Sequence, residues 1–390
     1  MTRFAAPVRL LLVNQFAVNT GFYLLIPYLA QHLGDLGLSA AVVGVVLGVR
    51  TLSQQGMFVV GGTASDRLGP RGVIIAGCAL RAVGFGLFAF GDSLAVVLAA
   101  SVLSGLAGAL FNPAVRAYVA LEAGAARTEA FARFNVYAQA GALAGPVLGG
   151  LLVLWDFRVA AVVSAGIFAA LTVAQALVLP ARPAARRGGT VSADWRECLA
   201  NRRFLAFTAV TSVLFLLQNQ LYLLLPVRAR DAVGADWVVA LLFLVSTVLT
   251  VALQVRVTRR LSRLPRGVAI ATGAALAGLG FLAPALWGGL VPVLVATAGL
   301  AVGVVVAQPF VNDLVPSFGP DSLAGTYYGV FYLVSGVVAA VGNTAIGWVM
   351  EDGTGSAALL CAVVGLLGAA GVLRLHRRGL LDPTRQEVSR

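Results

Sequence analysis

Two arginines, Arg50 and Arg81, stand well inside long apolar runs of the sequence. A guanidinium at the centre of a membrane helix costs about 2.5–3.5 kcal/mol, so each needs a partner, a wet cavity or a route to the interface. Two readings fit. Either the pair makes a positive cavity that favours anionic or zwitterionic ligands, or each arginine is a structural pin held by helix carbonyls and polar side chains. The same apolar runs carry amides, phenols and a hydroxyl at helical spacing: Asn14, Gln15, Asn19 and Tyr23, then Asn135 and Gln139, Gln218 and Tyr222, and Tyr328, Tyr332, Ser335 and Asn343. Steps of three and four put such side chains on one helix face, turned away from lipid. Amides and aromatics on an apolar wall suit bulky amphipathic small molecules. The competing reading is interhelical hydrogen bonding, worth about 0.6 kcal/mol each.

Reactive chemistry is scarce. The 16 acids fall in or near the breaks between apolar runs, with Glu122 and Asp313 near run ends. Cys78, Cys198 and Cys361 show no metal-ligand or disulfide spacing, and His32 and His376 share no context. There is no phosphate-cradling loop and no lysine, so no nucleotide site is expected. No nucleophile constellation points to an enzyme. Neither cofactor nor metal is expected.

The elements that hold these residues follow from composition. Of 390 residues 59% are hydrophobic and 11% charged, against about 25% charged in soluble domains. A soluble fold cannot cover that much apolar surface. Twelve apolar runs, near 8–30, 40–62, 73–90, 94–118, 131–154, 159–179, 204–226, 237–256, 267–287, 290–314, 323–349 and 355–374, each approach the length of about 20 residues that crosses a bilayer. They are too long and continuous for barrel strands, which leaves helices. The first run reads as an uncleaved membrane helix. The expected fold is an all-α membrane protein of twelve transmembrane helices.

The net charge of +12 rests on arginine alone. With both termini cytoplasmic, the inner loops hold Arg3, Arg9, Arg67, Arg71, Arg127, Arg133, the groups 182–203 and 256–266, and the tail, while the outer loops hold Arg158, Arg228 and Arg230. Topogenic arginine accounts for the charge without nucleic acid. Residues 181–203, rich in proline, glycine and arginine, form a cytoplasmic linker between six-helix bundles at 1–180 and 204–375, with a tail at 376–390. The halves echo each other: Phe22 to Pro27 against Leu221 to Pro226, Asn112-Pro113 against Gln308-Pro309, and Pro70-Arg71-Gly72 against Pro265-Arg266-Gly267, at offsets of about 195 to 199 residues. Such repeats belong to transport folds with the substrate between halves.

Between the second and third runs lies GGTASDRLGPRG, with Gly62, Asp66, Arg67, Gly69 and Arg71. It resembles the loop signature of the major facilitator superfamily, departing from it at Pro70. Glycine suits a tight turn there, and Asp66 can sit near a helix N-terminus or an arginine and latch a closed cytoplasmic gate. Arg116 either joins that network or anchors its helix end. The fifth run contains GALAGPVLGG, with Gly141, Gly145, Pro146, Gly149 and Gly150. It resembles the antiporter signature of the drug:proton branch. Small residues four apart let helices approach, and the proline removes a backbone donor. Residues 44–122 are similar to bacterial MdtH-type multidrug-resistance exporters.

The resemblance implies a monomeric transporter in the bacterial inner membrane that exports amphipathic drugs or metabolites by alternating access, coupled to protons. Two departures bear on coupling. The first run has Asn14, Gln15 and Asn19 where that branch often carries an acid, and Ser101 stands where its antiport signature has an arginine. The alternatives are an exporter or facilitator of one anionic metabolite, of siderophore or lysolipid type, and a non-transport receptor or scramblase.

Overall fold

The computed structural model describes residues 4–38, 40–91, 93–181, 190–235 and 237–381. Asp92, Asp236, most of the arginine-rich part of the linker (182–189) and the tail beyond 381 lie outside the described residues. Helix dominates the described residues, and no strand occurs among them.

The first helices are α1 (Ala6–Asp35), α2 (Ala40–Gly56), α3 (Phe58–Leu68), α4 (Pro70–Phe90) and α5 (Leu94–Ala123). Then come α6 (Arg127–Val153), α7 (Phe157–Val178) and α8 (Val191–Ala200). Later in the chain are α9 (Arg202–Asn219), α10 (Leu224–Val233), α11 (Trp237–Leu261), α12 (Arg266–Gly280), α13 (Leu282–Leu286), α14 (Leu290–Leu314), α15 (Ala324–Asp352) and α16 (Thr354–Arg377).

Among the described residues, ten helical stretches are long and apolar enough to cross a membrane. One of them, Leu94–Val153, is 60 residues long and contains two of the runs read from the sequence. The second run is interrupted at Met57, between α2 and α3, so neither piece reaches crossing length alone. Counted this way, the described helices are consistent with twelve passages.

Local chemistry sets the boundaries. Gly69 has φ +86°, a conformation costly for any side chain with a Cβ, and Pro70 opens α4, where its missing N–H is not needed. Ser93, Asp156 and Asn201 cap α5, α7 and α9 by accepting from Val96, Arg158 and Phe204 N–H. Pro113 lies inside α5 and Pro309 inside α14, at corresponding places in the two halves of the sequence.

By contacts the chain forms two compact units. The first comprises residues up to 130, 137–198 and 319–333. In it α4 packs on α5 and α7, α5 also packs on α2 and α3, and α1 lies on α7. The second comprises 131–136, 199–318 and the chain from 334 onward. There α12 packs on α14 and α16, and α14 on α11. Its core joins Leu217, Leu225, Leu242, Phe281, Ala296 and Cys361.

The linker is not wholly irregular. Its residues 191–200 form α8, which buries Asp194 and Cys198. Cys78, Cys198 and Cys361 are all buried, and no disulfide joins them.

Candidate functional site

The first unit brings the C-terminal half of α3 onto the start of α15. Gly62 and Gly325 make this possible: a Cβ on either would run into the backbone of the other. Gly62 and Asp66 lie in α3 rather than in a turn, and Gly69 alone of the two expected turn glycines has a positive φ. Asp66, one turn beyond Gly62, then faces the first N–H groups of α15, which have no partner within their own helix. Its Oδ1 accepts from Gly325 N–H at 2.8 Å, and its Oδ2 from Thr326 N–H and the Thr326 hydroxyl, both at 2.7 Å. An acid at this place caps a helix and opposes its positive end. Asp66 lies beyond the apolar run 40–62. Burial pushes its carboxyl up to about 7, against the pull of the three hydrogen bonds, and Asp194 adds to the rise.

The neighbouring signature residues are also engaged. Arg67 binds Asp194 of α8, with Nε at 2.9 Å and a terminal nitrogen at 2.7 Å. Trp195, next along α8, donates its indole N–H to the Thr63 hydroxyl at 2.8 Å. Arg71 donates to the carbonyl of Ala176 near the end of α7 at 2.6 Å. Arg116 donates to the Asn112 carbonyl, and its guanidinium lies 4.7 Å from the centre of the Tyr332 ring. Tyr332 is itself two turns further along α15 than Gly325 and packs on Phe58 at 5.9 Å. Gly325, Thr326, Asp194 and Trp195 carry no motif, and nothing in their spacing marks them.

The second signature welds α6 to α1. A Cβ on Gly141 would overlap the Phe16 carbonyl, one on Gly145 would come within 2.8 Å of the Tyr23 Cβ and the Thr20 carbonyl, and one on Gly149 would overlap the Leu24 carbonyl. Asn19 donates to the Ala138 carbonyl at 2.7 Å, and Tyr28 to that of Pro146 at 2.6 Å. A Cβ on Gly150 would stand 2.9 Å from the Tyr28 hydroxyl.

The polar side chains of the apolar runs divide between the units. In the first, Gln15 donates to Asn19 at 3.1 Å. Asn14 is buried with neither amide atom hydrogen-bonded. Tyr23 stands edge-on to Phe22, Gln139 is half-buried, and Tyr328 is fully buried. Arg50 and Arg81 both lie over the ring of Phe22. In the second unit, the Asn135 amide nitrogen is buried without a partner. Ser335 shares a hydrogen bond with Ser212 at 3.0 Å, and Asn343 accepts from Gln220 at 2.9 Å. Gln218 is half-buried, while Tyr222 is exposed and packs on Phe243. Arg266, whose sequence neighbours echo those of Arg71, pairs with Asp313, tying the start of α12 to the end of α14.

This is the architecture of a multi-pass helical membrane protein whose halves carry matched proline positions, with an acid of the first half of the sequence capping a helix of the second. The chain belongs to the Major Facilitator Superfamily, whose family model matches residues 11–343. It is therefore a membrane transporter of small molecules and not an enzyme. It is 43% identical over 363 residues to an uncharacterized MFS-type transporter of Mycobacterium tuberculosis, covering 89% of this chain and 87% of that one. It is 30% identical over 348 residues to the multidrug resistance protein MdtH of Aeromonas hydrophila, covering 86% of each. The fold is shared with the human organic anion transporter MFSD10, at TM-score 0.78 and 20% identity over 94% of this chain and 98% of that one. It is shared likewise with the Escherichia coli fucose:proton symporter FucP, at TM-score 0.76 and 17% identity over the same shares.

Proposed function

We propose that the protein exports amphipathic small molecules from the cytoplasm by alternating access, driven by the proton gradient across the bacterial inner membrane. The observation that carries this reading is the Asp66 cap on α15. A helix end between early spans that holds the first turn of a late span is a latch, and releasing it is a change of access on one side. The multidrug-resistance relatives support the substrate class, and the glycine ladder between α6 and α1 supports export over uptake. The side chains we assign to substrate contact are the amides and phenols of the apolar runs, Gln15, Asn19, Tyr23 and Gln139 foremost. The arginine distribution supports cytoplasmic termini, and one chain is the functional unit in this reading.

The test is flux in proteoliposomes carrying an internal pH dye. Adding an amphipathic drug on the side that matches the cytoplasm is expected to move drug and protons in opposite directions. Drug flux without proton flux would replace antiport by facilitated diffusion. No flux of any amphipathic compound would overturn the reading.

A further inference from the structure

Arg81 is 4% exposed, and three aromatic rings surround its guanidinium. The centres of Phe168, Phe22 and Phe111 lie 5.3, 5.7 and 5.8 Å from its Cζ. Arg50 reaches the same Phe22 ring from α2, at 5.3 Å. Gly108 of α5 completes the arrangement. A Cβ there would stand 3.0 Å from a terminal nitrogen of Arg81 and 3.0 Å from the Gln54 side-chain amide, so Arg81 and Gln54 converge over the bare backbone. All of these residues belong to the first unit.

The donors of this pair are largely unspent. Arg50 donates to Gln54 at 3.3 Å and to Thr51 at 3.4 Å. The Nε atoms of both arginines are buried without a hydrogen-bond partner. Among the described residues no carboxylate pairs with either guanidinium; the titratable groups facing them are Cys78 and Tyr23, besides each other. Aromatic faces stabilise a cation but accept none of its five N–H bonds. Two like charges sharing one ring repel as well. A structural pin would end on carbonyls or an acid, and Arg81 ends on neither. What the pair lacks is an oxyanion, and a guanidinium fork matches two oxygens of a carboxylate, sulfonate or phosphate with two parallel hydrogen bonds.

We propose that Arg50 and Arg81 form an anion-recognising subsite for the transported molecule, with Gln54 as a further polar contact and Phe22 as the surface for an aromatic or apolar body. The substrate class is thereby narrowed to amphipathic oxyanions: carboxylates, sulfonates or phosphate esters. This rests on the export reading and adds the sign of the substrate's charge.

The experiment compares two dyes of nearly the same shape, anilinonaphthalene sulfonate and the uncharged phenylnaphthylamine. Binding is read on full-length protein in phosphatidylcholine nanodiscs, with empty discs subtracted. Wild type is expected to bind the sulfonate more tightly. Arg81→Gln is expected to weaken sulfonate binding about 10-fold, the loss of one charged hydrogen-bonding partner, and to leave the uncharged dye within about 2-fold. Arg81→Lys keeps the charge without the fork and is expected to recover part of the loss. Should Arg81→Gln fail to fold, Arg50→Gln at the half-buried position carries the same expectation. Equal weakening for both dyes, no weakening for either, or a wild type indifferent to the sulfonate would each overturn the proposal. Transport into inverted vesicles separates it from the export reading. Arginine-dependent sulfonate binding without transport of either dye leaves the subsite standing and removes export. Transport of the sulfonate that ignores both substitutions does the reverse.

Discussion

Asp66 and Thr326 stand 260 positions apart in the chain and meet twice, through the Thr326 N–H and its hydroxyl, both 2.7 Å from one carboxylate oxygen. The contact spends no arginine. It uses backbone donors that any helix start must place somewhere.

Asp66→Asn keeps one oxygen acceptor, which can serve the two Thr326 donors, and puts an amide NH2 against the Gly325 N–H. Leaving such groups unmatched costs about 1–3 kcal/mol. Turnover in proteoliposomes is expected to fall roughly 10-fold with drug binding retained, and Thr326→Val, which removes the hydroxyl alone, is expected to fall less. Unchanged turnover in Asp66→Asn would remove the latch from the transport cycle.

The same carboxyl makes the latch sensitive to pH. Burial raises it from an ordinary 3.8 to about 7, so the latched protein holds a proton that the unfolded chain releases. Its contribution is fully present below the unfolded value and is lost as pH rises through the folded one. Thermal stability of wild type is expected to decline between about pH 4 and pH 7 relative to Asp66→Asn, whose side chain does not titrate. Parallel stability curves for the two proteins would contradict the assignment.

Arg67 and Asp194 form an unequal pair, with side chains 28% and 6% exposed. Either substitution removes a charged hydrogen-bonding partner from the other side chain, a loss of about 1.5–3 kcal/mol. Arg67→Gln and Asp194→Asn are each expected to lower the melting temperature in detergent. The double substitution is expected to cost less than the two singles together, because the residues are in contact. Additive losses would mean that the two side chains act independently.

Gly149 lies against the Leu24 carbonyl with no room for a Cβ. Gly149→Ala is expected to destabilise the protein by about 1–3 kcal/mol, the range for overpacking. Gly166, with open space where its Cβ would be, is expected to tolerate alanine. Detergent melting curves check both, and equal melting temperatures for the two variants would show that the α1–α6 interface yields.

Much of the architecture was legible because lipid imposes a length. Apolar runs long enough to cross, with arginine between them, read directly as spans. The glycine ladder of α6 was legible for a similar reason, since spacing by four names the face that meets α1. The interruption at Met57 was not, because no proline or charge marks it. Asp66 could be read as seeking a helix start, but Gly325 and Thr326 are ordinary residues whose part comes from beginning a helix beside it. The cage around Arg81 draws Phe22, Phe111 and Phe168 from α1, α5 and α7, and phenylalanines in an apolar run carry no signal until the helices pack. The polar stripes were visible as helical faces. Hydrogen bonding between helices, as in Ser335 with Ser212 and Asn343 with Gln220, emerges only from the tertiary structure.

The three thiols at 78, 198 and 361 are sealed in the interior, at 1%, 0% and 0% exposure. Maleimide reagents need a solvent-accessible thiolate, so they should pass over the native protein. A cysteine engineered in a water-facing loop would then carry the whole spectroscopic signal, and the natural sequence already serves as its own silent background for distance probes.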